Sequence, residues 1–201
     1  MTDADDAAIG STAPGRYGAV PAAVTVAETI LGTVWNVQGD ASRPPFSTEA
    51  PRLLGIALPG APNTALRQHA SVALWLGPTS WLLVGGTAAG LGDFAAKRAA
   101  LEAAGGALFD VTASCTAWTI AGARAESVLA GGSPLDFGLP AFPERACAQS
   151  TFGGVNTLFY RPRAASFALI VARGHARAVW RSLCAAAAPV GYRVLAPRAF
   201  V

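Results

Sequence analysis

His69 and His175, Cys115, Cys147 and Cys184, and a set of dispersed carboxylates are the groups in this chain with chemistry to offer. Nucleophilic catalysis needs a hydroxyl or thiol held beside a base. His69 lies in a polar stretch, and His175 lies beside Arg173 and Arg177, so both read as surface or helix-start residues rather than general bases. No GxSxG elbow is present. Asp93, Glu102, Asp110, Glu126, Asp136 and Glu144 form no pair at i, i+3 or i+4 spacing that could divide acid and base roles. The cysteines are odd in number and lack CxxC spacing, which argues against zinc and against a disulfide framework. They read as buried free thiols.

Three further groupings invite a function. Gly85-Gly86-Thr87-Ala88-Ala89-Gly90 lies between a strand and a helix, with Asp110 ending a later strand. The middle glycine of GxGxxG is missing in the Gly85 register, and no Lys-Ser/Thr completes a P-loop, so the segment reads as a flexible link. Arg173, Arg177 and Arg181 recur every four residues on one helix face. They form either a solvated face or a docking stripe for an acidic partner surface. The proline-bracketed PLDFGLPAFP (134–143) carries Phe137 and Phe142, which either fold back on the core or anchor an interface.

The elements that position these residues show in the hydrophobic pattern. Thr25 to Gln38 contains a first strand, and Ser42 to Pro51 is a loop or short helix. Val72–Leu76 and Trp81–Val84 flank Gly77-Pro78-Thr79-Ser80 and read as a buried hairpin, with Trp75 and Trp81 on opposite sides or ends of the sheet. A helix follows from about Gly92 to Ala104, with Asp93 at its N-terminal dipole and Gly105-Gly106 as its stop. Strands at Leu108–Val111 and Thr116–Ala121 precede a short helix at Arg124–Ala130. Val155–Tyr160 and Phe167–Val171 are strands joined by RPRAAS. From His175 to about Ala187, Ala176, Val179, Trp180, Leu183 and Ala187 make one apolar stripe at helical spacing, and Tyr192–Leu195 is a closing strand. WLLVGG…FAAKRAALEAAGGALFDV and FALIVARGHARAVWRSLCAAAAPVGYRVL share one pattern of strand, link, helix, stop and strand. The fold class is therefore α+β, with duplicated split β-α-β units and mainly antiparallel sheets.

Composition bounds the rest. Apolar residues make up 52% of 201 and charged residues 13%, so much of the surface is weakly polar and suited to cover by a partner. The net charge of +3 comes from scattered arginines and a single Lys97, without the basic runs of a nucleic-acid footprint. The acidic N-terminal segment lacks the apolar core of a signal peptide, and no apolar stretch is long enough to span a membrane, which predicts a cytoplasmic protein. The expected organisation is a disordered tail over 1–22 and a single α+β domain over 23–201, made of pseudo-repeats at about 53–132 and 145–195.

Five segments in order carry a resemblance: LWLGPTSWLLV, FDVTAS, AGARAESVLAGGSPLDF, CAQSTFGGVNTLFYR and FALIVARGHARAVWRSL. Together they resemble the gamma subunit of heterotetrameric sarcosine oxidase, from about Leu53 to Tyr192. Thr79-Ser80 departs from the acidic residue that the family often has before Trp81. The same order is similar to a diverged folate-binding aminomethyltransferase domain of the glycine-cleavage T-protein type. Asp110-Val111, Gly122 and Gly153-Gly154-Val155 are kept. Asn156-Thr157 or Thr157-Leu158 stands where that family has its acidic pair, and Ala172-Arg173 stands where it has asparagine after the strand. A folate pterin needs a carboxylate or amide on its N–H edge, so the resemblance implies a scaffold that has lost the site.

What the resemblance implies is a non-catalytic structural subunit, with no catalytic, cofactor-binding or metal residue of its own. The complex would oxidatively demethylate sarcosine to glycine and produce hydrogen peroxide. FAD, FMN, NAD, tetrahydrofolate and zinc would sit on other subunits. The partners would be the alpha, beta and delta subunits, chiefly the large alpha subunit. The alternative is an independent folate-binding or one-carbon transferase protein, with Asn156 as its best polar candidate.

Overall fold

The computed structural model describes residues 13–86 and 91–200. The chain divides into two compact units, each drawn from more than one stretch of sequence, called below the discontinuous unit and the inserted unit. The discontinuous unit takes residues up to Thr29, Thr116–Glu144 and Gln149–Arg198. The inserted unit takes Ile30–Cys115 with Arg145–Ala148 and Ala199–Val201.

Strands β1 (Gly15–Tyr17) and β2 (Val24–Ile30) begin the described chain. The inserted unit then builds β3 (Val34–Gln38), α1 (Phe46–Leu54), β4 (Ala65–Gln68), β5 (Ser71–Gly77), β6 (Ser80–Gly85), α2 (Phe94–Ala103) and β7 (Ala107–Asp110). Its antiparallel sheet has the order β4-β5-β6-β3-β7. Trp35, Val37, Ala73, Trp81, Leu83 and Leu108 from this sheet form a core with Phe46, Ala50 and Leu54 of α1 and Leu101 of α2. β6 is buried from Trp81 through Gly85, so both its faces are covered, which is why it reads as an unbroken apolar run. Asp93 caps α2 by accepting from the Ala96 N–H at 3.1 Å.

The first strand predicted between Thr25 and Gln38 is two strands, β2 and β3. Gly32 lies in the break, where a Cβ would run into the backbone of Gly85 and Gly86. The region predicted as loop or short helix becomes α1, closed by Gly55 at φ 72° with its N–H on Pro51 O.

The chain returns to the discontinuous unit through β8 (Cys115–Ala121), α3 (Ala125–Ala130), β9 (Cys147–Phe152), β10 (Val155–Arg163), β11 (Ser166–Ala172), α4 (Ala176–Ala187) and β12 (Tyr192–Ala199). The sheet order is β1-β12-β2-β8-β11-β10-β9. The predicted stripe of α4 is buried at all five positions, and Trp180 stacks on Trp118 of β8 at 6.2 Å between centroids. Each unit follows the same path of strand, helix, three strands, helix and strand: β3-α1-β4-β5-β6-α2-β7 in one and β8-α3-β9-β10-β11-α4-β12 in the other. In both, the last strand of that path lies on the far side of the first, and β2 is inserted at that point in the discontinuous unit. The α+β class with duplicated split units is the observed architecture. Of the N-terminal segment, residues 1–12 lie outside the described residues, and Gly15–Tyr17 pairs with β12.

Candidate functional site

Most carboxylates among the described residues are occupied by local structure. Asp110 accepts from the Thr112 N–H at 2.9 Å, at the turn that leads into β8. Asp136 accepts from the Gly138 N–H at 2.8 Å, and Glu144 from the Ala164 N–H at 2.6 Å. Glu49 pairs with Arg52 and Glu102 with Arg98 on their own helices. Ser42 donates to Asp40 from its hydroxyl and its backbone N–H, which holds that carboxyl below its ordinary pKa.

Glu126 serves a larger centre that the sequence reading missed. Arg161 on β10 is fully buried. Its Nη1 donates to Phe137 O at 2.7 Å and Phe142 O at 2.8 Å. Its Nη2 donates to Glu126 Oε1 at 2.6 Å and to Ala164 O. The guanidinium lies 4.7 Å from the centroid of Phe167. This one side chain holds both ends of the 134–143 loop by its carbonyls. Phe137 and Phe142, left open between core and interface by the sequence, are core: they are 2% and 4% exposed. Phe137 meets Phe159 edge-on at 5.1 Å and Phe167 at 5.7 Å. The signal in sequence was a lone arginine closing the apolar run LFYR before Pro162.

The tryptophan hairpin forms as β5 and β6, with Gly77 opposite Ser80 and Pro78-Thr79 at the turn. Trp75 pairs directly with Trp81, so the two share a face instead of covering opposite sides. Trp81 is 1% exposed, donates Nε1 to Pro59 O at 2.9 Å and stacks on Phe46. Trp75 packs half-buried against the same core. Cys147 closes this region from β9: its thiol donates to Thr64 O at 3.2 Å. Burial pushes that thiol up to about 11.

The remaining candidates stand apart. His69 occupies the β4–β5 turn at φ 52°, exposed, and His175 sits exposed in the short 3-10 turn before α4. Arg177 and Arg181 are exposed on the side of α4 away from its buried stripe, whereas Arg173, expected on the same helix face, is exposed in the 3-10 turn before the helix. Asn156 is exposed on β10, and Thr157 is buried with its hydroxyl on Val155 O at 3.0 Å. Of the glycine-rich link, residues 87–90 lie outside the described residues. None of the three cysteines is in a disulfide, and of the thiols expected to be buried only Cys147 is, Cys115 and Cys184 being half-buried. Among the described residues, no group of three or more metal-ligating side chains gathers in one place.

The model of the sarcosine oxidase, gamma subunit family matches residues 38–189. In fold, the chain is similar to heterotetrameric sarcosine oxidase from Corynebacterium sp. U-96 in complex with pyrrole 2-carboxylate. The identity is 20%, the match covers 87% of this chain and 88% of that one, and the TM-score is 0.76. It is also similar to the glycine cleavage system aminomethyltransferase T from Bartonella henselae, at 17% identity and TM-score 0.54. That match covers 88% of this chain but 48% of the other, so the chain spans about half the length of the aminomethyltransferase. Among curated proteins, none matches at a significant level.

Proposed function

Because the chain belongs to the sarcosine oxidase, gamma subunit family, we propose that it is a non-catalytic structural subunit of a heterotetrameric sarcosine oxidase. The assembly oxidatively demethylates sarcosine to glycine and produces hydrogen peroxide. The family match over residues 38–189 carries this reading. The employment of the carboxylates in caps, turns and ion pairs supports it, since each would have to be released before it could act on a substrate.

The proposal assigns FAD, FMN, NAD, tetrahydrofolate and zinc to the other subunits. The partners are the alpha, beta and delta chains, chiefly the large alpha chain. At the positions where an aminomethyltransferase pattern would place its acidic pair, Asn156 is exposed and the Thr157 hydroxyl is spent on the backbone. That pair carries no carboxylate for the pterin edge of a folate, and no step through folate is derived. Among the described residues, no helix is long and apolar enough to cross a membrane. A cytoplasmic location belongs to the same proposal.

Affinity purification of the tagged chain from its native host, with native mass spectrometry and a flavin absorbance scan, tests the reading. The expected result is a yellow heteromer with two larger chains and one small one, active on sarcosine. A colourless lone chain that binds tetrahydrofolate, with binding lost in N156A, would replace it with the independent folate-binding reading.

A further inference from the structure

The pairing of β1 with β12 sets two like charges face to face. Arg16 stands directly opposite Arg193, between the pairs Gly15–Val194 and Tyr17–Tyr192. Opposed residues on neighbouring antiparallel strands share a face, and like charges there destabilise the pair. Both arginines are exposed, and among the described residues neither forms an ion pair with a carboxylate.

This corner is fastened, not frayed. Tyr17 stacks on Tyr192 at 5.4 Å and 23°. The segment after β1 is bound by Ala19 N–H to Ala188 O and Ala23 N–H to Gly191 O, each at 3.0 Å. Gly18 (φ 73°) and Gly191 (φ 70°) make the approach possible, because a Cβ on either would enter the backbone of Ala188 or Ala19. The fold thus holds the repelling arginines together at a cost. With Pro21, Ala22, Val24 and Thr25 they line an open concavity of about 210 Å³. Thr25 already gives its hydroxyl proton to Ala121 O, so the side-chain N–H donors of this lining are those of the two guanidiniums. Val20, 83% exposed, adjoins it.

We propose that this notch receives the carboxylate of an acidic side chain from a partner subunit, with Val20 and Pro21 as the apolar lip of the contact. The inference rests on the heteromeric reading above. Planar guanidiniums match a carboxylate in a two-pronged geometry, and one anion between them removes the repulsion. Exposed apolar groups beside the arginines favour a protein-borne carboxylate over a free organic acid.

The test compares R16Q, R193Q and the double variant in the assembly and in the full chain alone. In the assembly, the double variant is expected to bind its partners about tenfold more weakly and dissociate at lower salt. In the chain alone, the single variants leave the melting temperature unchanged or raise it, because repulsion is relieved. R16K/R193K keeps the charge but loses the two-pronged geometry, and is expected to bind more weakly than the unmutated chain and more tightly than the double Gln variant. Unchanged salt tolerance of the double variant overturns the proposal. Destabilisation of the lone chain by the single variants overturns it too, by making the arginines structural. Saturable binding of glutarate to the lone chain with assembly unaffected assigns the notch to a free acid and also overturns it. Failure of the unmutated chain to recover any partner would be seen before any variant is made, and that would sink the subunit reading itself.

Discussion

Replacing Arg161 tests how the 134–143 loop is held. R161A removes the donors to Phe137 O, Phe142 O and Ala164 O and strands three carbonyls beside a cavity. Breaking a buried charged centre from one side costs about 3–5 kcal/mol. For a chain of this length, that corresponds to a fall in melting temperature of roughly 10 °C. R161M fills the volume but leaves the same carbonyls unpaired, at about 1–3 kcal/mol each, so it does not rescue. E126A leaves the buried guanidinium without its carboxylate, but the Glu126 side chain is 44% exposed, so water enters in its place and the cost is expected to be smaller than that of R161A. Urea melts followed by circular dichroism and extrapolated linearly give the three values, and limited proteolysis at 134–143 reports the loop directly. Recovery of R161M to within about 1 kcal/mol of the unmutated chain would refute the argument, because shape and not hydrogen bonding would then hold the loop. So would E126A as costly as R161A.

W81A is expected to cost about 3–5 kcal/mol as a large-to-small core change, and W75A clearly less, read from the same melts. Cys147 is expected to resist iodoacetamide at pH 8 in the folded chain, since a thiol held near 11 is about 0.1% thiolate there, and mass spectrometry of labelled peptides checks it. The folded chain keeps that proton where the unfolded chain, near the ordinary 9.0, loses it; stability therefore declines between about pH 9 and 11, and C147A abolishes the decline in pH-dependent melts. G153A is expected to destabilise more than G154A. Both glycines have positive φ, but a Cβ at Gly153 meets Ser182 while Gly154 faces open space; thermal melts of both variants decide it.

Local periodicity explains what the sequence disclosed. The α4 stripe and the β5–β6 hairpin were legible because their signals lie within a dozen residues. β4 was not, because Ala65–Gln68 is an edge strand with three exposed side chains and no apolar alternation. The sides taken by Trp75 and Trp81 depend on register, which a bulge between Trp75 and Gly77 shifts. The fate of Phe137 and Phe142 depends on Arg161, far along the chain, and no window centred on the loop contains it. The engagement of Asp110, Asp136 and Glu144 as acceptors was not readable in their spacing, because their partners are backbone N–H groups.

The interrupted path of the chain sets an order of events on the ribosome. β2 belongs with β8 and β12, yet residues 30–115 must be synthesised before β8 exists. At about 5–20 residues per second, β2 spends several seconds with both edges unfilled while the inserted unit assembles. β12, between β1 and β2 in the finished sheet, comes later still. The nascent chain therefore passes through a stage in which one unit is nearly whole and the other holds unsatisfied strand edges, the stage at which a trigger-type chaperone or an early-docking neighbour would decide its yield.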